Sequence, residues 1–128
     1  MLNDNHFTVL VPAYNVEKWA ERNISSVIEQ DYTNYDIAFI DDCSTDKTFE
    51  IVENKLTNLP SKHFNLCLEK NSFNKGKMQN AYDSIHKAKD NTIIVILDGD
   101  DWFPNKNVLK YLNEVFNSSD VWMTNGSY

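Results

Sequence analysis

Ile93-Ile94-Val95-Ile96-Leu97-Asp98-Gly99-Asp100-Asp101 is the stretch on which the fold turns. Its apolar half is mostly β-branched and shows no polar alternation, the pattern of a strand buried on both faces, as parallel sheets require. Three carboxylates then arrive within four positions, Asp98 to Asp101. A strand end of that kind predicts chemistry at the sheet edge rather than in the core. Thr92 to Leu97 therefore reads as a buried strand, the fourth of the chain.

Working outward, the same rhythm recurs. Phe7-Thr8-Val9-Leu10-Val11 is a buried strand stopped by Pro12, and Val16, Trp19, Ala20, Asn23, Ile24, Val27 and Ile28 follow at helical spacing with Asn15 as a cap. Tyr35 to Ile40 is a second strand and ends in Asp41-Asp42. Ser44, Thr45 and Asp46 offer caps for a helix carrying Phe49, Ile51, Val52 and Leu56. Phe64 to Leu68 is a third strand, Gly76 opens a helix with Met78, Ala81, Tyr82, Ile85 and Ala88, and Pro104 suits the first turn of another. Asp120 to Thr124 is expected to be a fifth strand. The alternation predicts an α/β fold with a mostly parallel central sheet and helices on both faces. Ligands in such sheets bind beyond the carboxyl ends of the strands.

The chain has 128 residues, 41% of them apolar, which supports one core and not two, so residues 1–128 read as a single domain. A net charge of -7 argues against binding nucleic acid through its phosphates. No apolar run reaches the roughly 18 residues of a membrane span, and Met1 to His6 lacks a signal-peptide core. Cys43 and Cys67 fit neither a metal site nor a disulfide framework, so a cytoplasmic setting is expected, with any contact to the inner face of a membrane made by parts outside this chain.

Asp98, Asp100 and Asp101 cannot all stay ionised side by side without compensation, since two unit charges about 4 Å apart repel by roughly 4 kcal/mol at an effective dielectric near 20. A divalent cation is one remedy, and hard oxygen ligands suit Mg²⁺ or Mn²⁺. A solvated acidic turn ahead of a helix is the plainer alternative. Asp41 and Asp42 can accept hydrogen bonds from a base or a ribose, or can simply form a turn. Tyr14 can stack on a base or pack. Lys75 and Lys77 flank Gly76 where helix N-H groups and an ammonium can meet a phosphate.

Five segments in order carry a resemblance: Val9-Leu-Val-Pro-Ala-Tyr-Asn15, Asn23-Ile-Ser-Ser-Val-Ile-Glu-Gln30, Ile40-Asp-Asp-Cys-Ser-Thr-Asp46, Asn74-Lys-Gly76 with Asn80-Ala81, and Leu97-Asp-Gly-Asp-Asp-Trp102. Together they resemble the family 2 glycosyltransferases of the Rossmann-like GT-A fold, and Asp98-Gly99-Asp100-Asp101 looks like that family's Asp-x-Asp motif. The resemblance implies a nucleotide-sugar donor, commonly a UDP-sugar, and a sugar transferred to an acceptor hydroxyl, mostly with inversion. It implies donor contacts from Pro12, Ala13, Tyr14, Asn15, Asp41, Asp42, Lys77, Asn80, Asp98 and Gly99. Asp100 or Asp101, with Asp98 close by, would hold Mn²⁺ or Mg²⁺. Such catalytic domains are considerably longer, so the chain is expected to be a truncated, nucleotide-binding part. The acceptor-binding half and the catalytic base would then lie beyond Tyr128. A phosphoacceptor receiver domain shares the length and alternation, but expects its acidic pair after the first strand and a Lys after the fifth. A nucleotide-binding module without catalysis is a third reading.

Overall fold

The computed structural model describes residues 2–60 and 63–126. Four strands and four helices alternate: β1 His6–Ala13, α1 Glu17–Ile28, β2 Tyr35–Asp41, α2 Thr48–Thr57, β3 Leu66–Lys70, α3 Lys77–Lys87, β4 Thr92–Ile96 and α4 Val108–Ser118. All pairings are parallel and the order is β3-β2-β1-β4. Each strand returns through a helix, as parallel neighbours require.

The pleat divides the core. Phe7, Val9 and Val11 of β1 share one face with Ile37 and Phe39 of β2, and Ala20, Ile24, Val27, Val52, Leu56 and Leu109 from α1, α2 and α4 close over them. Leu10 points the other way and is equally buried, on the side where α3 crosses β1. Helices on both faces therefore follow from the two-sided apolar character of β1.

Several boundaries differ from the sequence reading, each for a physical reason. Residues 120–124 form no strand, and Trp122 is 96% exposed. Strand propensity alone does not hold Val121-Trp122-Met123 extended without a paired neighbour. β4, expected to be buried on both faces, is instead an edge of the sheet, and Ile96 is 51% exposed. The third strand starts at Leu66, because Phe64 turns inward against Tyr35 with ring centroids 5.4 Å apart. Asn15 does not cap α1. It sits at φ 51° in the left-handed region and uses its Oδ1 to accept from the Thr45 N-H at 2.9 Å. None of the residues expected to cap α2 holds the cap position, which falls to Lys47 without a side-chain bond; Asp46, one residue earlier, accepts from the Thr48 N-H through Oδ1 at 2.9 Å. Pro104 lies in an exposed turn, and α4 begins only at Val108.

Candidate functional site

The carboxyl ends of β1, β2 and β4 open into a cleft of about 210 Å³, lined by Pro12, Ala13, Tyr14, Val16, Asp42, Lys77, Asn80, Asp98, Gly99 and Asp100. Most residues singled out in the sequence therefore meet at one edge. Asn15 and Asp41 do not line it. Nor does Asp101, which instead joins Asp98 and Asp100 in a group where one carboxylate oxygen of each lies within 4.8 Å of the other two.

Asp41 and Asp42 are adjacent but act differently, because successive side chains of an extended segment point to opposite faces. Asp41 is fully buried. Its Oδ2 accepts from the Ser44 N-H at 2.9 Å and lies 4.0 Å from Lys70 Nζ, so it shapes the turn after β2. Asp42 faces the cleft. Its Oδ1 accepts from the Lys75 N-H at 2.8 Å and the Asn71 amide at 2.9 Å, and its Oδ2 from the Gly76 N-H at 2.9 Å. Burial alone would push the Asp42 pKa up. Hydrogen bonds from Lys75 and Asn71, the nearby Asn80 amide and the Gly76 N-H outweigh it and hold the carboxyl below the usual aspartate range.

These bonds also set the start of α3. Gly76 sits at φ 86°, which glycine adopts without penalty, and Lys77 opens the helix directly behind it. Asn71 donates to Asn80 Oδ1 as well, at 2.7 Å, so one amide ties Asp42 to the helix. Lys77 reaches across the cleft, with its Nζ 2.5 Å from Asp98 Oδ2.

The acidic loop is gripped by α1. The buried Asn23 donates through Nδ2 to the carbonyls of Asp98 at 3.0 Å and Asp101 at 2.8 Å. Ser26 Oγ accepts from the Phe103 N-H at 3.0 Å, and Gln30 donates to the Asn105 carbonyl at 2.7 Å while accepting from the Leu109 N-H at 3.1 Å. Arg22 covers the Trp102 ring with its guanidinium carbon 3.7 Å from the centroid. Gly99 is needed for closeness: a Cβ there would lie 2.8 Å from Ala13 Cβ and 3.1 Å from Val16 Cγ2. Sequence reasoning gave Asn23, Ser26 and Gln30 no role in the site. Their signal was three polar residues at helical spacing, Asn23 and Ser26 on α1 and Gln30 just past its end.

Three clustered carboxylates form an all-oxygen donor set of the kind Mg²⁺ and Mn²⁺ take, and two of them, Asp98 and Asp100, line the cleft. Asp98, Asp100 and Asp101 would be the residues to hold such an ion.

A family model described as Glycosyl transferase family 2 matches residues 8–125. The chain belongs to this family. Poly(ribitol-phosphate) beta-N-acetylglucosaminyltransferase TarS of Staphylococcus aureus is 38% identical over 109 residues, covering 81% of this chain and 18% of TarS. The crystal structure of S. aureus TarS 1-349 in complex with UDP-GlcNAc superposes with a TM-score of 0.73 at 31% identity, over 88% of this chain and 31% of that one. The mannosyltransferase PcManGT of Pyrobaculum calidifontis, solved with GDP-Man and Mn²⁺, gives a TM-score of 0.77 at 27% identity, over 92% of this chain and 33% of that one. The chain thus spans a third or less of the length of these relatives. Its membership in the glycosyltransferase family replaces the receiver reading, and the sheet order agrees: β4 lies beside β1, where a flavodoxin-like order has β3. Among the described residues, no helix is long and apolar enough to cross a membrane.

Proposed function

We propose that this family 2 domain binds a UDP-sugar together with Mn²⁺ or Mg²⁺ and delivers the sugar to an acceptor hydroxyl with inversion. The observation that carries the reading is the meeting of Asp42, Lys77, Asp98 and Asp100 in one cleft. In this reading the base lies at the Asp42 end beside Tyr14, against Pro12 and Ala13, with Asn15 shaping the loop from outside the cleft. Asp42 is held ionised and keeps one acceptor position, on Oδ2, for a ring N-H, while Asp41 supports it from behind through the turn. Lys77 and Asn80 face the ribose and diphosphate. Asp98, Asp100 and Asp101 hold the metal, and Gly99 brings them within reach of the Pro12–Val16 loop.

When bound, the metal offsets the charge that develops on the departing diphosphate. This chain's residues orient the donor so that the anomeric carbon is open to attack from the face opposite that leaving group. The carbon-oxygen bond to the diphosphate breaks as the acceptor oxygen bonds, UDP leaves with the electron pair, and a carboxylate base takes the hydroxyl proton. The base and the acceptor-binding surface belong, in this proposal, to a part of the protein outside residues 1–128, in keeping with the small share of each relative that the chain covers. A cytoplasmic setting is part of the reading, consistent with two cysteines that are not paired with each other.

A thermal-shift series with UDP, GDP and CMP, each with and without Mn²⁺, tests the donor. The expected result is stabilisation by UDP that depends on Mn²⁺ and exceeds that by CMP. A larger shift with GDP would transfer the reading to a guanosine donor. Turnover of a UDP-sugar by the longer protein separates an enzyme from a module that only binds.

A further inference from the structure

The cleft contains an ion pair that its proposed use must break. Lys77 Nζ sits 2.5 Å from Asp98 Oδ2, on the same carboxylate that belongs to the Asp98, Asp100 and Asp101 group. We propose that Lys77 is an exchangeable counter-charge: without ligand its ammonium stands in for the divalent cation, and the cation displaces it onto the donor diphosphate, so that metal and donor bind cooperatively. The inference rests on the reading of these three aspartates as metal ligands.

Three observations carry it. The first is crowding. A divalent ion bonded to Asp98 would lie close to an ammonium on the same carboxylate, and two cations so placed repel. The second is mobility. The Lys77 and Asp98 side chains are 58% and 38% exposed, so their pair is weak and its exchange is cheap. The neighbouring ammonium groups are committed elsewhere, Lys75 to Asp83 at 3.5 Å and Lys70 over the Phe49 ring and towards Asp41. The third is placement. Lys77 is the first residue of α3, and no acidic residue occupies that first turn. A cation at the positive end of a helix is unfavourable, whereas a diphosphate arriving there would find both the ammonium and the open helix N-H groups. The backbone at this point is fixed by the Asp42 bonds to Lys75 and Gly76, so only the Lys77 side chain needs to move.

The test is Mn²⁺ titration followed by the electron paramagnetic resonance signal of free Mn²⁺, on the parent chain, Lys77→Met and Lys77→Arg, each with and without UDP. Circular dichroism checks that each is folded. Lys77→Met is expected to bind Mn²⁺ alone about threefold tighter or more, as loss of a surface ion partner would give. The enhancement of Mn²⁺ affinity by UDP should be smaller in it than in the parent. Lys77→Arg keeps the charge and should bind Mn²⁺ alone like the parent. Equal metal affinity of parent and Lys77→Met, or an undiminished UDP enhancement, overturns the exchange while leaving the metal reading in place. No Mn²⁺ binding by the parent even with UDP overturns both.

Discussion

The two ends of the cleft are built on opposite principles. At one end Asp42 is buried and already bonded to two backbone N-H groups and one side-chain amide, so its position and charge are set before any ligand arrives. At the other, Asp98 and its neighbours crowd negative charge onto a more open loop, and the one short bond of Asp98 is to an exposed lysine. The difference separates stability from binding. A carboxylate that satisfies buried donors contributes to folding; carboxylates that repel each other work against it until a cation comes.

The strongest way to break this contrast is Asp42→Ala. It strands the Lys75 and Gly76 N-H groups and the Asn71 amide, and should cost on the order of 3 kcal/mol in a urea melt, besides abolishing UDP binding. Asp100→Ala should do the reverse: no loss of stability, or a slight gain from relieved repulsion, with metal-dependent UDP binding weakened about tenfold or more. If Asp100→Ala unfolds the chain, or Asp42→Ala leaves its stability intact, the division is wrong.

A smaller effect is expected at the junction. Gly99→Ala places a methyl against Ala13 and Val16 and forces the acidic loop outward, costing about 1–3 kcal/mol. Calorimetry should show Mn²⁺-dependent UDP binding falling more than UDP binding without metal, because the clash moves the metal end relative to the base end.

The smallest effect is in pH. The folded-state pKa of Asp42 lies below its unfolded value, so protons bind the unfolded chain more readily. Its contribution to stability is therefore complete above about pH 4 and is lost as pH falls through the folded-state value. Melting temperatures of the parent and Asp42→Asn should differ at pH 6 and converge as the pH is lowered towards 3.

The four strands, the helices on both faces and the gathering of acidic strand ends were legible because period and charge are local properties of the chain. The difference between Asp41 and Asp42 was not, since two identical neighbours are told apart only by the pleat. The roles of Asn23, Ser26 and Gln30 were hidden because their partners, Asp98 to Leu109, lie some 75 to 79 positions away. The burial of β4 was overestimated because an apolar run does not reveal whether a strand has one neighbour or two. The absent fifth strand makes the same point from the other side: Trp122 and Met123 have strand-like chemistry, yet among the described residues they pair with no strand and stand exposed.

The most direct test is a crystal of this chain grown with UDP and Mn²⁺, with data collected at a wavelength where manganese scatters anomalously. The account predicts a manganese peak bonded to carboxylates of the Asp98, Asp100 and Asp101 group, the uracil ring beside Asp42 and Tyr14, and the Lys77 ammonium turned from Asp98 to a phosphate oxygen. A peak elsewhere, or nucleotide bound with its base at the acidic loop and its phosphates at Asp42, would contradict it.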